Sequence, residues 1–125
     1  MGLLSGILGN AGVVDSNQLQ AEFGQLLAAD ETIQAGYVLV RDKFLFTDRR
    51  LILVDIQGLT GKKVEYHSIP YSKITQFSVE TCGSFDLNAE LKIWVGSSQV
   101  PIEKKFNKSV NIYEVQRLLA NCIMA

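Results

Sequence analysis

The stretch from Thr47 to Thr81, TDRRLILVDIQGLTGKKVEYHSIPYSKITQFSVET, decides the fold. Arg50 to Ile56 is an aliphatic and β-branched run, the composition of a strand. Gln57 to Lys62 contains Gly58 and Gly61, both able to take positive φ, and reads as a loop. Val64 to Ile69 is the next strand. Pro70 ends it, because proline cannot donate to a central ladder. Ile74 to Thr81 is another strand, with Phe77, Val79 and Thr81 on one face. Strands joined by turns, with basic pairs at the joints and no catalytic set, describe a β-rich binding or assembly module.

The pattern continues on both sides. Upstream, Lys43 to Thr47 sets Phe44 and Phe46 against Leu45, and the chain alternates at period two from Ile33 to Val40. Tight turns fall at Arg41-Asp42-Lys43 and Thr47-Asp48-Arg49. Asp15 caps a predicted helix running to Ala29, with Leu19, Phe23, Leu26 and Leu27 within an arc of about 100°. Downstream, Leu87 to Val95 alternates cleanly. Val100 to Phe106 carries Pro101, Lys104 and Lys105, which suit a sheet edge. A last helix starts at Asn111, with Glu114 in its first turn and Val110 and Val115 placed as a hydrophobic staple. Its apolar stripe covers about 140° and is predicted to lie across the open end or face of the strand array.

The 125 residues make one domain, with residues 1–14 a short apolar arm and 15–125 the folded unit. Apolar residues at 47% and charged residues at 20% exclude a disordered chain. A net charge of −1 argues against a general nucleic-acid binder. Cys82 and Cys122 lie far apart, without metal or redox spacing, and are expected to be reduced and buried, as in a cytoplasmic protein. The apolar start lacks the charge and length of a secretory signal, and no segment is long enough for a membrane span. His67 has no partners that would make a catalytic or metal set, and Gly58 to Lys63 lacks the spacing of a phosphate loop. No catalytic residue, cofactor or metal is expected.

The long central run, with FDLNAELKIWV and KKFNKSVNIYEVQRLLA, closely resembles the bacterial pleckstrin-homology-like domain family across residues 15 to 125. The resemblance implies a mainly β fold with helices: a pleckstrin-homology-like, seven-stranded bent antiparallel barrel with an N-terminal helix and a C-terminal capping helix. It also implies a non-catalytic protein that closes into rings of identical subunits, five-fold for a single-domain member. An unknown protein partner would dock where adjacent subunits meet.

Two surfaces follow from the residues themselves. Leu51 and Leu53 face one way, while Ile52, Val54 and Ile56 face the other, and Leu45 opposes Phe44 and Phe46. A barrel buries only one face, so the outer one needs a cover. The leading helix is expected to supply part of it and a neighbouring copy the rest. Leu45, Ile52, Val54 and Trp94 are thus the candidate oligomer interface. The alternative is weak membrane contact, with Arg41, Lys43, Lys62 and Lys63 as a candidate anionic-ligand cluster at one end of the barrel.

Overall fold

The computed structural model describes residues 15–39, 42–81 and 88–124. Helix α1 spans Ser16–Phe23 and tightens into a 3₁₀ turn, Gly24–Leu26. Seven strands follow: β1 Ile33–Val38, β2 Lys43–Thr47, β3 Arg50–Gln57, β4 Lys63–Pro70, β5 Ile74–Glu80, β6 Ala89–Val95 and β7 Ile102–Phe106. Helix α2, Ile112–Ile123, comes last. All ladders are antiparallel, in a four-stranded sheet ordered β1-β2-β3-β4 and a three-stranded sheet ordered β5-β6-β7. The 3₁₀ turn Tyr71–Lys73 carries the chain from one sheet to the other.

The period-two pattern sorts side chains into two separate apolar clusters. The larger one lies between the sheets and under α2. It holds Tyr37, Phe44, Phe46, Leu51, Leu53, Leu91, Ile93 and Phe106, with Val115 and Leu119 from α2. Tyr37, Phe44, Phe46 and Phe106 meet edge to face at centroid distances of 5.3–6.3 Å, a favoured geometry for aromatic rings. Asn111 caps α2 as expected, its side chain accepting from the Tyr113 N–H at 3.0 Å. Val110 and Val115 are both buried in this cluster.

The smaller cluster lies on the opposite side of the first sheet. Leu19 and Phe23 of α1 cover Ile33, Leu45, Ile52 and Val54 there, with Leu26, Leu27 and Val64 at its margin. Asp15 caps α1, accepting from the Asn17 N–H at 3.1 Å. The helix predicted to reach Ala29 stops at Phe23. Leu26 and Leu27 still pack on the sheet, but Leu27 is already extended, and the Ala28 N–H donates to Glu31 Oε1 at 2.8 Å. A turn anchored by Glu31 thus replaces the helix's last turn. The strand expected from Val100 starts at Ile102. Val40, Cys82, Leu87 and the arm at residues 1–14 lie outside the described residues.

Candidate functional site

The outer face of the first sheet is roofed by the chain's own helix. Leu45, Ile52 and Val54 are 0%, 1% and 2% exposed, and they pack against α1. This corrects the expectation that a neighbouring copy must cover them. In this conformation they are out of a neighbour's reach. The roof sits close because β1 has glycine at position 36. A Cβ there would run into Leu19 Cδ1 and lie 3.1 Å from Leu45 Cδ2. Trp94 does point outward, on the second sheet opposite Gln76. It is half-buried, and its carbonyl accepts from Thr75 Oγ1 at 3.3 Å.

A polar anchor that the sequence did not announce holds the roof's trailing end. Glu31 is 4% exposed and Thr47 is fully buried. Arg50 grips Glu31 with two donors, Nε to Oε2 at 2.9 Å and Nη2 to Oε1 at 3.0 Å. Its remaining donors reach Leu26 O at 2.7 Å and Ser68 Oγ at 2.8 Å. Thr47 Oγ1 donates to Glu31 Oε2 at 2.6 Å and accepts from the Arg50 N–H. Tyr71 Oη donates to the Thr47 carbonyl at 2.6 Å. Burial works to raise the Glu31 pKa, but hydrogen bonds from Arg50, Thr47 and the Ala28 N–H outweigh it. The result falls from the ordinary 4.5 to about 2. This network ties the end of α1, the turn after it and strands β2, β3 and β4 together. Its residues are a common Glu, Thr and Arg in sequence, and only the fold brings them together.

Three of the four residues of the candidate anionic-ligand cluster lie among the described residues. Arg41 lies outside the described residues. Lys43 is engaged: its Nζ is 2.9 Å from Glu22 Oε2 and lies over the Phe23 ring. Lys62 on the β3–β4 connection and Lys63 at the start of β4 are exposed, and Gly58 and Gly61 of the connection take positive φ. Beside them Leu59 is fully exposed.

His67 is exposed on β4. Cys122 is half-buried, and burial raises its thiol pKa, so it is poorly suited to act as a nucleophile. Among the described residues no group of three or more His, Cys, Asp and Glu could hold a metal ion. No helix among them is long and apolar enough to cross a membrane. What the surface does offer is strand edges. On β4 only Ile69 is buried, and Tyr66 is 47% exposed on the same face as half-buried Val64. At the seam between the sheets, where the turn Tyr71–Lys73 joins them, β4 and β5 each stand last in their sheet, with no strand among the described residues paired to the outer edge.

Two antiparallel sheets packed around the larger apolar cluster, with a C-terminal helix over it, are the architecture of a pleckstrin-homology domain. The chain belongs to the bacterial PH domain family, whose model matches residues 2–123. It is 49% identical to the uncharacterized protein YjqA of Bacillus subtilis (strain 168), covering 99% of this chain and all of that one. It is 32% identical to the uncharacterized protein YozO of the same organism, over 91% of this chain and 94% of the other. Among solved structures, the pleckstrin homology domain from Shewanella amazonensis SB2B superposes with a TM-score of 0.83 at 44% identity, covering 99% of this chain and 100% of that one. A DUF1696 family protein with a pleckstrin-homology domain from Shewanella loihica PV-4 gives 0.82 at 44% identity, over 92% and 98%.

Proposed function

We infer that the protein is a non-catalytic interaction module that works as a closed ring of identical copies, five the expected number, on which other proteins dock. The observation that carries this reading is β4. It is an eight-residue strand with one buried side chain that carries Tyr66 and Val64, it stands at the end of its sheet, and no strand among the described residues pairs with its outer N–H and C=O groups. A contact that joins β4 of one copy to a different patch of the next is head-to-tail, and such a contact closes into a ring when its rotation divides a full turn. Light scattering is expected to give about five times 13.8 kDa. Tyr66→Glu is expected to yield a folded protein of lower mass, since Tyr66 is 47% exposed in the single chain and its one aromatic neighbour among the described residues is the edge of the Phe23 ring. A monomer for the unmodified protein at high micromolar concentration would end the ring.

A second reading, peripheral contact with an anionic membrane, is favoured by Leu59 standing bare beside Lys62 and Lys63. Each lysine near such a surface contributes about 1 kcal/mol. Sedimentation with phosphatidylglycerol vesicles is therefore expected to be weak, lost at high salt, and abolished by Lys62→Glu with Lys63→Glu. No retention even at low salt would remove this reading.

A further inference from the structure

The two sheets do not pair with each other among the described residues, and the two walls of the seam between β4 and β5 differ. On the inward face of the first sheet, Leu51 pairs with buried Ile69, but Leu53 pairs with exposed His67 and Asp55 with exposed Glu65. Across the seam, Phe77 and Val79 of β5 pair with buried Ile93 and Leu91 and yet are themselves only half-buried. Inward-facing side chains are thus incompletely covered along β5.

The second sheet also treats its two edges differently. The edge strand β7 follows Pro101 and carries Lys104 and Lys105, features that discourage pairing with another chain. From Ile74 to Val79, β5 has no proline and no charged residue. Among the described residues, none pairs with its outer edge. The outward face adds a charge argument. Lys92 lies opposite Glu103, and Glu90 lies opposite Lys105. On its other side, however, Glu90 faces Glu80 of β5. Like charges directly opposite are destabilising, and a cation on a strand added beside Glu80 would relieve the repulsion.

We propose that the free edge of β5 accepts an extended segment of a partner protein as an added strand. Its apolar side chains lie over Phe77 and Val79, and a Lys or Arg lies beside Glu80. Backbone hydrogen bonds give such a strand its affinity, and the alternation of its side chains gives specificity. Period two makes the preferred segment alternate apolar and basic residues. Residues 1–14 of this chain contain no Lys or Arg and so do not match it. The inference deepens the interaction-module reading and rests on it, but it does not depend on the ring.

The test is an NMR titration of the full ¹⁵N-labelled chain with the blocked peptide Lys-Val-Lys-Val-Lys. Saturable shifts concentrated on β5 amides are expected, and Glu80→Lys is expected to weaken binding about tenfold. The same variant should gain affinity for Glu-Val-Glu-Val-Glu, a swap that a merely destabilised protein would not show. Shifts that avoid β5, or are indifferent to Glu80→Lys, would overturn the proposal. So would β5 shifts on dilution without peptide, which would make a second copy the occupant. Light scattering on the same samples separates the two ideas. A ring without peptide binding ends only the added strand, and a monomer that binds peptide ends only the ring.

Discussion

Arg50→Ala is expected to destabilise the protein by about 3–5 kcal/mol, because it leaves the Glu31 carboxylate buried without its counter-charge. That is a large share of a typical domain's stability. The arginine also satisfies Leu26 O and Ser68 Oγ, so a lysine, with a single compact ammonium, will restore only part of the loss. The acid response follows from the same pair. Glu31 has a folded-state pKa of about 2 against an ordinary 4.5. A depressed carboxyl contributes stability that is fully present above its unfolded value and is lost as pH falls through the folded one. About 3 kcal/mol should therefore disappear between roughly pH 5 and pH 2. Urea unfolding followed through Trp94 fluorescence reads both effects. In Arg50→Ala the acid loss should be much shallower, and an unchanged slope would show that Arg50 is not what lowers the Glu31 pKa.

Gly36→Ala is expected to cost about 3 kcal/mol, the upper end for overpacking a well-filled site. The new methyl would be driven into Leu19, a side chain with no exposure. This outweighs the roughly 0.5–1 kcal/mol that alanine ordinarily gains over glycine within a strand. Leu19→Ala alone should cost about 2–5 kcal/mol by opening a cavity. Together the two changes should cost clearly less than their sum, with a coupling of about 1–2 kcal/mol, since each relieves the other's defect. Simple additivity in a double-mutant cycle would show that α1 does not sit where Leu19 meets Gly36.

The strands were legible because alternation is a local signal. Arg50, Ile74 and Val95 bound their strands in the structure as the pattern of residues placed them. The end of α1 was not legible. Leu26 and Leu27 keep the helical arc in sequence, but the chain is turned away by Glu31, whose partner Arg50 is 19 positions distant. Asp30-Glu31 reads as an ordinary polar stop, and Asp30 in fact takes a φ of 64° there. Two-faced strands announced that Leu45, Ile52 and Val54 need a cover. They could not announce that α1 suffices, because that depends on how closely a helix can approach Gly36. The open edges of β4 and β5 were hidden for a similar reason. Which strands stand last in a sheet is decided by closure of the whole barrel, and no window of residues contains it.

The division of apolar side chains into two clusters, one on each side of the first sheet, has a kinetic consequence. An eight-residue helix has little stability of its own, so α1 can peel away while the ring stack of Phe44, Phe46 and Phe106 stays shut. Amide hydrogen exchange should therefore come in two tiers, with Leu19 to Phe23 trading deuterium through a local opening that Leu91 and Ile93 never share.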